Sequence, residues 1–235
     1  MTRNTITGLT IAKNVISRGY PLELAFNTVK DLFDELVIVY GKSDDGTLEL
    51  LNNFQIDHGG VKIVPVKWRD GIPKELGRVT NAGLKHCTSS WVYYFQADEF
   101  ADKRNLEVIR EAVERGPNSY LFPFIQFAGD IGHIQSEPPY KYAIRLFRNK
   151  KMGVSADLDG WSFTGYKIFS ALQINRIFPA SFLDFPIYHA HNFSTNKERE
   201  IARGDNYSTG EPLPYNGYVP PELTEYYSGL ETKGN

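Results

Sequence analysis

A single cysteine, Cys87, stands among 235 residues, which excludes an internal disulfide and fits a reducing compartment. No apolar run approaches the roughly 18 residues that a membrane-spanning helix needs. The N-terminus lacks the long apolar core of a signal peptide. The sequence therefore predicts a soluble, cytoplasmic protein without an integral membrane segment. Charge of one sign is also lacking. Lys and Arg total 26 against 28 Asp and Glu, a formal net charge of -2. That argues against a protein built to hold nucleic acid by electrostatics alone. No GxGxxG follows the first apolar run, and no GxxxxGK[ST] occurs anywhere, so a dinucleotide fingerprint and a Walker-type phosphate loop are both missing. Internal repeats and low-complexity blocks are absent too.

What is present is 41% hydrophobic and 14% aromatic, ample for one large core. The first hundred residues alternate strand and helix signals. Strands are predicted at 5–12, 35–40 (ELVIVY), 61–66 (VKIVPV) and 91–96. Helices are predicted at 21–33, 47–54 and 72–87, with Pro21 suited to a first helical position and Asp45 or Ser43 as cap of the second. In the third helix Leu76, Val79, Gly83 and Leu84 are expected to face inward. This order implies an α/β fold with a mostly parallel sheet and helices on both faces. After residue 100 a helix over 105–115 ends at Gly116. Strand-like runs follow at 119–127, 140–148 and 182–189, which suit an antiparallel extension. Residues 1–203 read as one domain. Residues 204–235, rich in Pro and Tyr, read as an irregular tail.

The most informative stretch is WVYYFQADEF, residues 91–100. An apolar run ends abruptly in Gln96, Asp98 and Glu99. In open α/β sheets ligands bind just beyond the carboxyl ends of the strands. A carboxylate there suits Mg²⁺ or Mn²⁺, which take oxygen ligands and use few protein carboxylates. A solvated strand end is the competing reading. His189 and His191, in IYHAHNF, share one strand face and offer imidazoles to the same ion; ordinary core histidines are the alternative. The turn SDDGT (43–47) reads either as a nucleotide-contacting loop or as an acidic helix start. Arg145 or Arg148 is placed on a diphosphate in one reading, with a solvated edge strand as the other. Lys67, Arg69, Lys74 and Arg78 are further candidates for phosphate. SADLDGWSFTGY (155–166) combines aromatic faces that stack on sugar rings with Asp157 and Asp159, candidate general bases.

Together these residues resemble the family 2 glycosyltransferases with the GT-A fold, from about residue 5 to about residue 192. The landmarks are LTIAKN, ELVIVYGKSDDGTLEL, TNAGLKHCTSSWVYYFQADE, YKYAIRLFRNKK and IYHAHNF. The most specific are SDDGT and the block from Asn81 to Glu99. The resemblance implies a GT-A type, Rossmann-like sheet. It implies a nucleotide-sugar donor, often a UDP-sugar, bound over the first four strands. It also implies a divalent cation at the DxD-type motif Gln96-Ala97-Asp98, and inversion by direct displacement. Asp98 matches the metal-binding aspartate. Thr10, Ala12 and Asn14 match the strand end flanking the nucleotide base. Asp44 and Asp45 fall in the donor-side turn. His189 matches a histidine that follows the last core strand and approaches the metal.

Three positions depart from the family pattern. Tyr40 and Gly41 stand where an aspartate usually contacts the base. Gln96 replaces the first aspartate of the motif. Thr80 replaces an arginine, for which Arg78 is the substitute. No motif fixes the catalytic base: Asp157 and Asp159 lead, with Glu137 behind them. Glu99 is divided between support of Asp98 and acceptor contact. The acceptor is a glycan, a lipid-linked sugar, a protein or a modified nucleic acid. A nucleotidyltransferase and a non-catalytic glycan- or nucleotide-binding module are the competing functions.

Overall fold

Successive side chains on a strand point to opposite sheet faces, and in the first four strands both faces are apolar. β1 (Ile6–Ala12), β2 (Glu35–Gly41), β3 (Val61–Val66) and β4 (Trp91–Tyr94) pair in parallel in the order β3-β2-β1-β4. Ile6, Ile38, Trp91 and Tyr93 load one face; Leu9, Val37, Val39, Val92 and Tyr94 load the other. Burial on both sides explains why β2 and β4 read as continuous apolar runs; β3, at the sheet edge, leaves Lys62 and Pro65 exposed. Helices α1 (Leu22–Val29), α2 (Thr47–Asp57) and α4 (Leu106–Arg115) cover the first face through Phe26, Phe54 and Val113. Helix α3 (Glu75–Leu84) covers the second through Val79. A side chain at Gly83 would bring its Cβ to 2.4 Å from Val39 and 2.6 Å from Leu9, so glycine is what lets α3 lie against the sheet. The computed structural model describes residues 3–72, 74–138, 140–149, 154–156, 163–165, 180–190 and 210–231.

Beyond β4 the sheet continues as an antiparallel extension. The further strands are β5 (Glu99–Phe100), β6 (Ser119–Gln126), β7 (His133–Ile134), β8 (Tyr142–Arg148), β9 (Val154–Ala156), β10 (Phe163–Gly165), β11 (Ala180–Phe182), β12 (Ile187–His189) and β13 (Leu213–Pro214). The main sheet runs β3-β2-β1-β4-β8-β6-β12-β5, with β11 also on β6. β8 is antiparallel to both β4 and β6. β12 is parallel to β6 and antiparallel to β5. The architecture is thus the GT-A type expected: a mostly parallel first half with helices on both faces, extended by antiparallel strands.

Local expectations need correction at four places. Leu76 points outward, 37% exposed, because the inward face of α3 is set by Glu75, Val79 and Gly83. The run 182–189 is two short strands, β11 and β12, separated by a turn at Asp184 and Phe185 before Pro186, which cannot donate to a ladder. The residue that caps α2 is Gly46 at φ 81, although Asp45 still accepts the Thr47 N–H at 3.1 Å. The C-terminal segment, read as irregular, ends in a helix, α5 (Pro221–Glu231). Pro221 at its first turn favours a helix start rather than preventing one.

Helix α5 is docked. Leu223 is fully buried with Phe100, Phe127 and Tyr188. Tyr226 stacks on Phe100, and its hydroxyl donates to the Gly19 carbonyl at 2.7 Å. Lys103 and Glu222 form an ion pair at 2.5 Å. Among the described residues no helix is long and apolar enough to cross a membrane. Leu223→Ala is expected to cost about 2–4 kcal/mol, the usual range for emptying a buried leucine site. A urea-unfolding midpoint indistinguishable from the parent would contradict this docking.

Candidate functional site

The carboxyl ends of β1 and β2 are joined by hydrogen bonds rather than left as separate loops. Asn14, in the left-handed region at φ 50, donates its N–H to Ser43 Oγ at 2.9 Å. Its side-chain oxygen accepts from the Asp44 N–H at 3.4 Å. Val15 N–H reaches Thr47 Oγ1 at 3.0 Å. Asp45 accepts from the Ser17 N–H at 2.7 Å with one oxygen and from Thr47 with the other. Burial works against the Asp45 charge, but these donors outweigh it and hold the carboxyl down at about 2. Both Asp45 oxygens therefore fasten the two loops together. Asp44 remains exposed beside them. Thr10 and Ala12 lie inside the fold, and Asn14 is the part of that strand end that reaches the surface.

The loop after β3 is similarly tied. Glu75 is buried between Arg69 and Arg78. The Arg78 hydrogen bonds, partly opposed by burial, keep the Glu75 carboxyl at about 2. Arg78 also donates to the Lys67 carbonyl, so its guanidinium is engaged within this loop. Lys67, Arg69 and Lys74 are exposed. Gly41, where the family pattern has an acid nearby, is covered by Trp68 and Lys13: an added Cβ would stand 2.8 Å from the indole and 3.2 Å from Lys13. The Tyr40 hydroxyl accepts the Ser43 N–H at 3.0 Å. Burial pushes the Cys87 thiol up to about 12, so it supplies no thiolate near neutral pH.

Beyond β4 the chain makes a turn from Gln96 to Glu99, with Glu99 N–H on the Gln96 carbonyl at 3.2 Å. β5 then pairs with β12, which sets His189 opposite Glu99 and brings the Ala190 N–H to the Asp98 carbonyl at 3.0 Å. The consequence is a contact between two sequence-distant candidates. Asp98 Oδ2 lies 3.5 Å from His189 Nε2, and both side chains are buried. Gln126, on the neighbouring β6, meets the other ring nitrogen: its Oε1 contacts His189 Nδ1. The Gln126 amide is oriented by its NH₂, which donates to the Tyr140 carbonyl at 3.5 Å. An amide oxygen carries no hydrogen, so Nδ1 is the donor in this contact. Nε2 is thereby turned toward Asp98. Outer partners that fix the tautomer in this way accompany metal-ligating histidines generally.

The structure thus brings Asp98 and His189 together. Gln96 sits at the start of the same turn, its amide nitrogen 3.4 Å from the Tyr94 hydroxyl. Among the described residues no group of three His, Cys, Asp or Glu side chains could hold a metal ion. His191, Asp157 and Asp159 lie outside the described residues. Glu137 is exposed. Arg145 does not face a diphosphate. It is fully buried, with Nη2 2.6 Å and Nε 2.9 Å from the Glu99 carboxylate. β8 is an interior strand, so the edge-strand reading of Arg148 also gives way: its guanidinium lies over Trp91, 4.8 Å from the ring centroid. Gln126 and Tyr140 were missed by sequence reasoning. Strand spacing could have flagged Gln126 only once β6 was known to lie beside β12.

A sheet of this order, with a carboxylate and an imidazole converging beyond the strand that ends in QADE, defines a GT-A fold protein. The particular family follows from the sequence: the profile of glycosyl transferase family 2 matches residues 17–170, and the chain belongs to that family. It is 29% identical over 206 residues to the SPbeta prophage-derived glycosyltransferase SunS of Bacillus subtilis (strain 168), a match over 85% of this chain and 43% of SunS. The chain therefore spans less than half the length of that relative. Among solved structures, S. aureus TarS 1-349 in complex with UDP-GlcNAc aligns with a TM-score of 0.54 at 14% identity, over 97% of this chain and 66% of that one. Glucosyl-3-phosphoglycerate synthase from Mycobacterium tuberculosis, in complex with Mn²⁺, UDP and phosphoglyceric acid, aligns at 0.51 and 13% identity, over 85% of this chain and 74% of that one. These two likenesses speak for the fold.

The depressed carboxyls predict that the loops after β1, β2 and β3 are acid-sensitive. Asp45 and Glu75 both have folded values below their unfolded ones. Their contribution is complete above about pH 4.5 and is lost as pH falls toward 2. Asp45→Ala is expected to cost about 1 kcal/mol at pH 7, in line with loss of a helix-start acceptor. It should also flatten the fall in unfolding midpoint between pH 4.5 and pH 2. An acid limb as steep as the parent's would show that Asp45 does not fasten the loops.

Proposed function

We propose that the chain is the transferase domain of an inverting glycosyltransferase that moves a sugar from a nucleotide-sugar, most simply a UDP-sugar, to an acceptor hydroxyl with the help of Mn²⁺ or Mg²⁺. The Asp98–His189 pair is the main support. A buried carboxylate and imidazole 3.5 Å apart are two side-chain types that a divalent cation accepts as ligands. Adjacent ligands on an octahedral ion with bonds of about 2.1 Å stand about 3 Å apart, so the pair fits an ion after a small adjustment. A carboxylate, an imidazole and the phosphate oxygens of a donor form a reasonable ligand set for Mn²⁺. Family membership and the UDP-bound and UDP-GlcNAc-bound structures of similar fold support the donor class.

Glycosyl transfer must overcome a poor leaving group and a cation-like sugar in the transition state. A divalent cation, when bound, neutralises charge on the departing diphosphate. Asp98 and His189 are the residues that would hold it. The remaining work falls to the chain. The loops joined by Asn14, Ser43 and Asp45 flank the nucleotide, with Asp44 exposed at their rim. The acceptor oxygen attacks the anomeric carbon from the face opposite the diphosphate. The old carbon–oxygen bond breaks with its electron pair on the diphosphate, and the hydroxyl proton passes to a carboxylate. Asp157 or Asp159 is proposed for that base. One displacement of this kind inverts the anomeric centre.

UDP release from UDP-sugars, with glycans, lipid-linked sugars, peptides and nucleic acid offered in turn as acceptors, tests the reading. Activity is expected to require Mn²⁺ or Mg²⁺ and to vanish with EDTA. Asp98→Asn should lower kcat/KM at least 100-fold, and His189→Ala about 10-fold, with melting temperatures little changed. Full activity after thorough chelation would remove the metal from the mechanism.

A further inference from the structure

Asp98 and Glu99 are adjacent in sequence but are held by different strands. The Asp98 carboxylate faces His189 on β12. The Glu99 carboxylate turns the other way, toward Arg145 on β8. Glu99 Oε1 accepts from Arg145 Nη2 at 2.6 Å, and Oε2 accepts from Nε at 2.9 Å. The same Oε2 also accepts the backbone N–H of Gln96 at 3.2 Å. One carboxylate thus bonds to the first residue of the turn, to its own strand through the chain, and to a guanidinium from the middle of the sheet. The side chains of Arg145 and Glu99 are 0% and 1% exposed. The guanidinium is sandwiched between Tyr94 and Phe124, 5.3 and 5.0 Å from their ring centroids.

Stability alone does not account for this pair. Desolvating two charges costs several kcal/mol each, and apolar replacements of such pairs are often neutral or stabilising. What an apolar pair cannot do is accept the Gln96 N–H. Nor can a lysine reproduce the two parallel bonds of a guanidinium fork. β8 is hydrogen-bonded on both edges, to β4 and to β6, so Arg145 projects from one of the least movable places in the sheet. The burial of Arg145 opposes its charge, yet Glu99 outweighs this and pushes its pKa upward, so the guanidinium stays charged.

We propose that Arg145 is a positioning residue: through Glu99 it fixes the Gln96–Glu99 turn, and so fixes where Asp98 is presented to a donor-bound divalent cation. This rests on the proposed reading of Asp98 as a metal ligand. The Arg145–Glu99 pair itself touches neither donor nor ion. Its effect is on the placement of the neighbouring carboxylate, and its loss should appear as weaker ion binding in a protein that is still folded.

The test uses the 235-residue chain and the double variant Glu99→Leu/Arg145→Met, which removes both charges together. Its melting temperature is expected to stay within a few degrees of the parent. Its Gln96 amide should exchange with deuterium at least 10-fold faster. Mn²⁺ in the presence of UDP, titrated by electron paramagnetic resonance, should bind at least 10-fold more weakly. Arg145→Lys, which keeps the charge and loses the fork, should fall between parent and double variant. If the double variant does not fold, Arg145→Lys decides alone: unchanged Gln96 exchange and Mn²⁺ affinity overturn the proposal. A folded double variant with parental exchange and parental affinity overturns it equally. If the parent itself binds no Mn²⁺ with UDP, the metal reading of Asp98 fails, and Gln96 exchange alone then judges whether Arg145 holds the turn.

Discussion

A carboxylate buried without a cation is not tolerated, and the end of β4 confronts that constraint twice in succession. The strand Trp91–Tyr94 is buried on both faces. The chain that leaves it must place Asp98 and Glu99 within a few ångströms of a packed core. The two acids are answered by different elements. Glu99 is matched by Arg145 from β8. Asp98 is matched by His189 from β12. This explains why the sheet departs from a parallel order beyond β4. A purely parallel continuation would bring helices, not side chains from inserted strands, to this edge. The antiparallel β8 and the short β5–β12 pairing place a guanidinium and an imidazole where the acids need them.

Several acids beside the strand ends are engaged by groups of the chain itself. Asp45 is engaged by Ser17 and Thr47. Glu75 lies between Arg69 and Arg78. Asp70 meets Lys13, and Asp102 meets Arg104. Glu99 meets Arg145. Asp98 faces an imidazole, that of His189, as Asp130 faces that of His133. Gln126 meets the other nitrogen of the His189 ring.

Much of the scaffold could be read from residue order because its signals are local. Val61–Val66 and Trp91–Tyr94 are apolar runs of strand length, and Gly116 marks the end of α4. Asp98 was legible because a buried strand ending in acid is a local pattern. His189 was legible because a spacing of two puts side chains on one strand face. Arg145 was not, since whether β8 is an edge or a centre depends on strand order, which periodicity does not encode. Gln126 was invisible for the same reason: its meaning comes from lying in register with His189. The C-terminal helix was missed because Pro220 and Pro221 were weighed as breakers, whereas a proline at a first helical position is compatible with the turn that follows.

That helix bears on how the site is held. Tyr226 links Phe100, one residue past Glu99, to Gly19 in the loop that follows β1. Glu222 pairs with Lys103, and Tyr218 lies under the Arg104 guanidinium at 3.7 Å. The C-terminal segment therefore bridges two strand ends, the loop that follows β1 and the β5 strand that follows Asp98. Each end is also braced from within the sheet, by the Asn14–Ser43 bond and by Arg145 respectively. The Arg145–Glu99 brace is buried and the Asn14–Ser43 brace half-buried, and both are polar, so they fix direction. The outer strap is largely aromatic, so it excludes water from β5 and β12. A carboxylate and an imidazole are thus placed between the Arg145–Glu99 brace inside the sheet and the aromatic strap outside it.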